Sequence, residues 1–91
     1  MRKIDINARY RSCAIFCAAR GRKNDGKARI TNDELKERFG INWESLTNEL
    51  RAKGMLFAGV GYVYLRPTWA VMTAAEQMEE IKKMYPYPYE Q

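Results

Sequence analysis

The sequence predicts an α+β fold in which a compact group of three helices precedes a β-hairpin and a further helix. Thr31 begins a capping box, with a glutamate three residues later, which is typical of the start of a helix. Gly40 lies where a helix end favours a left-handed residue, and Gly54 ends the next helix in the same way. The apolar and aromatic segments 55–58 and 62–66 flank a glycine-rich turn, which is the pattern of a hairpin.

The composition limits the class of protein. A chain of 91 residues, 46% of them apolar, supports one domain with a small core. We expect this domain over residues 1–84 and a flexible tail rich in Tyr and Pro over residues 85–91. No apolar run approaches the ~18 residues that a membrane span needs, and no signal-peptide pattern is present. We therefore expect a soluble cytoplasmic protein with no membrane contact.

The first helix is expected from a cap at Asp5 or Asn7 to about Ala19. Its apolar stripe recurs at helical spacing, at Tyr10, Cys13, Ala14 and Cys17. Arg9 and Arg11 flank this stripe and are expected to face outward. Residues 20–29 combine turn-forming residues with five basic ones, which predicts a basic loop. A very short strand is expected to follow, at about residues 28–30.

The central segment, residues 31–53, is expected to contain two short helices, about 32–39 and 43–53, with Asn42 capping the second. Their inward side chains are expected to be Leu35, Phe39, Ile41, Trp43, Leu46 and Leu50. In the hairpin, residues 55–66, alternation sets Tyr62 and Tyr64 on one face and Val63 and Leu65 on the other. A last helix is expected over residues 70–84, with a cap at Thr68 or Thr73. Its broad apolar stripe indicates a homodimer interface or a core contact with the first helix, and the dimer residues would be Val71, Ala75, Met78 and Ile81.

The positive charge is unevenly distributed along the chain. Residues 1–29 contain nine Lys or Arg and two Asp, for a net charge of +7, whereas residues 30–91 carry a net charge of −2. Such asymmetry favours a basic surface that meets a polyanion, although a solubilising excess of charge gives the same pattern.

Catalytic and metal chemistry have little support in the sequence. The chain has no His, and Cys13 and Cys17 are its two cysteines, so a four-ligand zinc site cannot be assembled from them. We expect both to be buried free thiols, because a helix does not readily give residues four apart the geometry of a disulfide. No phosphate-cradling loop ending in Lys-Ser or Lys-Thr appears. We predict a protein that is not an enzyme and needs no cofactor or metal.

The segment from Leu35 through Phe39-Gly40-Ile41-Asn42 to Leu50, with the hairpin after Gly54, resembles the winged helix-turn-helix superfamily. The resemblance covers about two thirds of the chain. It implies a three-helix core with a β-hairpin wing, to which the last helix is an addition. Small basic chains of this type resemble transcription regulators carried by phages and mobile elements. The segment from Gly40 to Gly54 is about one helical turn shorter than is usual in that superfamily, and the wing tip carries no basic residue.

This resemblance implies sequence-specific binding of double-stranded DNA, with the third helix in the major groove. The base-reading residues would be Asn42, Ser45, Asn48 and Arg51. Phosphate contacts would come from the basic residues of the N-terminal third and from two hydroxyls of the hairpin: Arg9, Arg11, Arg20, Arg22, Lys23, Lys27, Arg29, Tyr62 and Tyr64. About six such contacts predict a loss of affinity of ~10³-fold between about 50 and 200 mM salt.

A second hypothesis is a winged-helix module that binds a host protein and inhibits or recruits it. Glu44 and Glu49 on the outer face of the third helix favour a protein partner over phosphate. The apolar stripe of the last helix and the Tyr-Pro tail are further candidate contact surfaces. The basic loop would then contact carboxylates of the partner.

Overall fold

The computed structural model describes residues 4–23 and 28–88, and these residues form an α+β arrangement, as predicted. In chain order the elements are α1 (Ala8–Lys23), β1 (Ile30–Thr31), α2 (Asn32–Phe39), a 3₁₀ turn (Gly40–Asn42), α3 (Trp43–Ala52), β2 (Leu56–Ala58), β3 (Tyr62–Leu65), α4 (Pro67–Ala70) and α5 (Ala74–Met84). Within these two ranges, the helices are too short or too polar to cross a lipid bilayer.

Helix α1 is the centre of the core, and small side chains dominate its buried face. Cys13, Ala14 and Cys17 are buried, as the stripe predicts, and both thiols are free. The helix continues to Lys23, so the prediction of a loop from residue 20 is wrong for residues 20–23. The extra turn is stabilised by tertiary contacts, since Gly21 is buried there and packs closely against Leu65 of β3.

Helix α2 has the predicted bounds and half of the predicted capping box. The Thr31 hydroxyl accepts a hydrogen bond from the Glu34 backbone N–H at 3.2 Å, whereas the Glu34 carboxylate binds Arg20 instead of the cap backbone. Gly40 has a positive φ of 74°, as its position predicts, but its ψ of −156° differs from that of the predicted left-handed helical residue. Ile41 is 91% exposed, so its predicted return to the core is wrong. Residues 40–42 form a tighter 3₁₀ turn of three residues per turn, which carries Ile41 outward.

Helix α3 packs through Leu46 and Leu50, which are both buried. Its end is a Schellman motif: the Met55 N–H donates to the Leu50 carbonyl, and the Gly54 N–H donates to the Arg51 carbonyl, both at 3.0 Å. Gly54 has φ 80°, the left-handed conformation that this motif requires. The chain therefore turns sharply after α3 and enters β2 directly.

The three strands form one antiparallel sheet in the order β1-β3-β2. Leu56 is opposite Leu65 and Phe57 is opposite Tyr64, which confirms the hairpin. Val63 and Leu65 are buried toward the helices, as the alternation predicts. The opposite face of β3 therefore carries Tyr62 and Tyr64.

The last helical segment differs from the single helix predicted over residues 70–84. A short helix, α4, ends at Ala70, and α5 begins after Thr73, which forms a complete capping box with Glu76. Val71 lies between the two helices and is 84% exposed. Ala75 is exposed, Met78 is half-buried, and Ile81 is fully buried among the core residues of the same chain. The prediction that Ile81 lies at a dimer surface is therefore wrong, because its side chain is already covered by its own domain.

The start of the Tyr-Pro segment is docked on α1, so a flexible tail from residue 85 is wrong for residues 85–88. Tyr85 is 4% exposed and stacks on Tyr10 with 5.3 Å between ring centroids. The Asn7 side-chain amide donates to the Pro86 carbonyl at 3.1 Å. Residues 89–91 lie outside the described residues. Polar and aromatic contacts to α1 and the residues before it thus hold the chain after α5.

Gly21→Ala is expected to destabilise the domain by about 1–2 kcal/mol. A Cβ on Gly21 would lie 2.5 Å from both Cβ and Cδ2 of the buried Leu65 side chain. This overlap outweighs the advantage of about 1 kcal/mol that Ala has over Gly within a helix. Urea denaturation measures the difference in the free energy of unfolding. Ser12→Ala, at an exposed position of α1, is the control and should change it by less than about 0.5 kcal/mol. A Gly21→Ala variant as stable as the wild type would contradict the close approach.

Candidate nucleic-acid interface

Helix α3 presents three of the four predicted base-reading residues on its exposed side. Ser45 and Asn48 lie opposite the buried Leu46 and Leu50, and Arg51 is also exposed. Arg51 Nη1 donates to Asn48 Oδ1 at 3.3 Å, so the two side chains form a polar pair one turn apart. Both ends of this pair remain accessible to a ligand that approaches from solvent.

Asn42, the fourth predicted base-reading residue, lies in the 3₁₀ turn before α3 and is exposed. The prediction that it caps α3 is wrong. Its backbone, at φ −87° and ψ 5°, is not in the extended conformation of an N-cap, and its side chain makes no capping hydrogen bond.

A groove runs between the exposed side of α3 and the hairpin. Asn48 and Arg51 line it from the helix, and Ala58 and Tyr62 line it from the strands, around a volume of about 140 Å³. Asn48 and Arg51 also border a wider depression beside β2, in which Phe57 and Arg66 form the other wall. The polar residues of α3 and the aromatic residues of the hairpin thus share one continuous surface.

Glu49 does not belong to this surface, although the sequence suggests two carboxylates on the outer face of α3. Its Oε1 accepts a hydrogen bond from the Tyr85 hydroxyl at 3.2 Å and lies 4.0 Å from Lys53 Nζ. Burial raises the pKa of Tyr85, and the Glu49 carboxylate raises it further, so the phenol keeps its proton and donates. Glu49 is therefore directed toward the C-terminal segment, while Glu44 remains exposed and lines the groove.

Arg11 is buried rather than outward-facing, so the prediction that it contacts phosphate is wrong. Its guanidinium forms an ion pair with Asp5 and donates to the carbonyls of Tyr85 and Pro86 at 3.0 and 3.2 Å. It also lies 3.8 Å from the centroid of the Tyr87 ring. Its charge and hydrogen-bonding groups are used to dock the C-terminal segment.

Two further arginines of the predicted phosphate set are engaged within the domain. Arg20 donates twice to the Glu34 carboxylate, at 3.0 and 2.6 Å. This hydrogen bonding lowers the pKa of Glu34 and raises that of Arg20. Arg22 donates to the side-chain oxygen of the buried Gln77, which itself donates to the Trp69 carbonyl at 2.9 Å. These contacts compete with any role of Arg20 and Arg22 in phosphate binding.

The remaining members of that set differ in their surroundings. Lys23 is exposed at the end of α1, and Arg9 is exposed while donating to the Phe39 carbonyl at 3.1 Å. Arg29 is exposed and lies 4.6 Å from the centroid of the Tyr62 ring. Lys27 lies outside the described residues.

Two residues outside the predicted site, Phe57 and Arg66, belong to the outer face of the sheet. Phe57 is opposite Tyr64, and the Arg66 guanidinium lies 4.0 Å from the centroid of the Phe57 ring. The same alternation that groups Tyr62 with Tyr64 would include Phe57 once the hairpin register is known. Arg66 follows the last residue of β3, and nothing in its spacing alone indicates the contact.

The core thiols are poor candidates for chemistry. Cys13 and Cys17 are fully buried, and their mutual hydrogen bond together with burial raises the pKa of Cys17. In the part of the chain that the structure describes, no group of three or more potential metal ligands comes together.

Comparison with known proteins gives no relative: no protein-family model, curated protein or solved structure matches this chain.

Arg20→Gln is expected to reduce the free energy of unfolding at pH 7 by less than about 1 kcal/mol, because the ion pair is partly exposed. Hydrogen bonding to Arg20 keeps the Glu34 pKa lower in the folded chain than in the unfolded chain. The contribution of the pair is therefore fully present above the unfolded-state pKa and is lost as the pH falls through the lowered pKa.

Urea denaturation of Arg20→Gln and wild type at pH 7 and at about pH 3 measures this dependence. Their difference should shrink on acidification, and Glu34→Gln is the matched control that removes the same titration. A difference that stays constant over this range would contradict the role of the pair.

Proposed function

We propose that this chain is a sequence-specific double-stranded DNA-binding protein of the winged-helix type, with α3 as its recognition helix. The supporting observation is the exposed Ser45, Asn48 and Arg51 on the side of α3 opposite its buried residues. The order of helices and strands, with β2 and β3 forming a hairpin directly after α3, also supports it. A transcriptional regulator is the kind of protein that we expect to use such a surface.

Asn48 and Arg51 carry the proposed base recognition. An amide side chain pairs with adenine through two hydrogen bonds in the major groove, and an arginine pairs in the same way with guanine. Because Arg51 donates to Asn48, each holds the other in an orientation away from the core. Ser45 lies on the same exposed side and contributes a hydroxyl that donates or accepts.

The proposed phosphate contacts are fewer than the sequence suggests. Arg11, Arg20 and Arg22 are engaged within the domain, which leaves Lys23, Arg29, Arg9 and Lys27, the last of which lies outside the described residues, together with the hairpin tyrosines. About three or four phosphate contacts predict a loss of affinity of roughly 10²-fold between about 50 and 200 mM salt. This is a shallower dependence than the basic composition implies.

The alternative of a protein-binding module has less support. Of the surfaces suggested for it, Ile81 and Tyr85 are buried within the domain, and Glu49 is bound to Tyr85. The carboxylate left on the exposed side of α3 is Glu44, which does not by itself favour a protein partner.

Asn48→Ala is expected to change the sequence preference for duplex DNA, whereas Arg29→Ala should weaken binding to all duplexes by a similar factor of about 5–10. Selection from a pool of randomised duplexes, followed by titration of the enriched and scrambled duplexes at two salt concentrations, measures both effects. Lys82→Ala, at an exposed position on α5, is the matched control and should change neither.

Failure of the wild type to bind any duplex at low salt would overturn the proposal. Equal losses on all duplexes for both Asn48→Ala and Arg29→Ala would remove base reading from Asn48.

A further inference from the structure

The outer face of the sheet carries a continuous row of aromatic rings. Phe57 of β2 is 5.4 Å from Tyr64 of β3, and Tyr64 is 6.1 Å from Tyr62, measured between ring centroids. The planes are tilted by 45° and 36°. Three neighbouring rings on two strands thus form one surface.

An arginine lies against each end of this row. The Arg66 guanidinium is 4.0 Å from the centroid of Phe57, and the Arg29 guanidinium is 4.6 Å from the centroid of Tyr62. Each contact has the geometry of a cation–π interaction, in which the guanidinium lies over one face of its ring. The row therefore has a positive charge at both ends.

The core does not account for these rings. The hydrophobic core is on the other face of β3, where Val63 and Leu65 are buried and α1 approaches. Phe57 is 37% exposed, and Tyr62 and Tyr64 are half-buried. Each side chain is thus partly accessible, with one face of Phe57 covered by Arg66 and one face of Tyr62 covered by Arg29.

Within residues 4–23 and 28–88, neither of these two arginines forms an ion pair with an acidic side chain. Among residues 4–23 and 28–88, the basic members of the ion pairs are Arg11, Arg20, Lys53 and Lys83. Arg66 Nε is buried and makes no hydrogen bond with any described residue. This atom is closed to solvent, so a phosphate at the surface would be bound through the terminal amino groups of the half-buried Arg66 side chain.

We propose that this outer sheet face binds single-stranded nucleic acid, with unpaired bases stacked on Phe57, Tyr64 and Tyr62 and backbone phosphates bound by Arg29 and Arg66. Rings in a row flanked by cations match a ligand that alternates flat bases with negative charges. Duplex DNA does not fit this face, because its bases stack on each other and present edges rather than faces. The site borders the α3 surface proposed for duplex DNA and shares Arg29 and the hairpin tyrosines with it.

Titration of fluorescein-labelled oligothymidine and oligouridine of about twelve nucleotides, followed by anisotropy at low salt, tests the proposal. The wild-type protein should bind at least one of the two oligonucleotides. The ratio of its affinities for oligothymidine and oligouridine shows whether the site prefers single-stranded DNA or single-stranded RNA. Phe57→Leu, which keeps apolar volume without a ring, should weaken binding by about 10-fold or more. Tyr64→Phe keeps the ring and should stay within about twofold of wild type.

Arg66→Gln should weaken binding and reduce its dependence on salt, because one phosphate contact is lost. Lys82→Ala is the control for the loss of a distant positive charge. Ser45→Ala, on α3 but outside the depressions that Phe57, Tyr62 and Arg66 line, should leave oligothymidine binding unchanged, so that failure of duplex recognition and failure of strand binding are distinguished. Thermal denaturation identifies any variant that does not fold. If Tyr64→Phe destabilises the domain, Phe57→Leu and Arg66→Gln, at the edge and the end of the sheet, still test the proposal.

Photocrosslinking of a strand that contains 5-iodouridine gives an independent measurement on the wild type. Crosslinks at Phe57, Tyr62 or Tyr64 support the proposal, whereas crosslinks confined to α1 or α3 overturn it. Absence of binding to both strands at low salt also overturns it. Unchanged binding of the strand by Phe57→Leu would also overturn the proposal, because binding would then depend on charge and not on stacking of bases.

Discussion

The close approach of the other elements to α1 is the constraint on which this domain depends. The buried face of that helix consists mainly of residues with short side chains, Cys13, Ala14, Cys17, Ala18 and Gly21. Such a face lets α3, α4, α5 and β3 all contact the same helix. At Gly21 the approach is so close that no side chain fits. A domain of this size has one core, and short side chains along its central helix allow that core to be shared by elements on several sides.

Local sequence signals predict the fold well where a structure is determined by neighbouring residues. The cap at Thr31, the positive φ of Gly40 and Gly54, and the alternation of Tyr62 to Leu65 all follow from short-range rules, and α2 has its predicted bounds. The errors concern residues whose environment depends on distant parts of the chain. Arg11 is buried because its partners include backbone carbonyls 74 and 75 residues later, and no periodicity within α1 indicates them.

The candidate site shows the same division. The exposed side of α3 could be predicted, because Leu46 and Leu50 identify the buried side of the helix. The distribution of available positive charge could not be predicted from the sequence, because Arg20 and Arg22 form hydrogen bonds with residues of α2 and α5. The hairpin contributes more than its sequence suggests, because the pairing of Phe57 with Tyr64 assembles rings from two strands. Net charge along the sequence therefore does not locate the surface on which the unpaired positive charge lies.

The docking of residues 85–87 beside residues 5–11 brings the beginning and the end of the folded unit to one corner. Asn7 and Arg11 both reach the Pro86 carbonyl, so the two segments are separated by little more than a hydrogen bond. Chain entering and leaving at neighbouring points is the geometry that permits insertion of one domain into a surface loop of another, or circular permutation through a short linker.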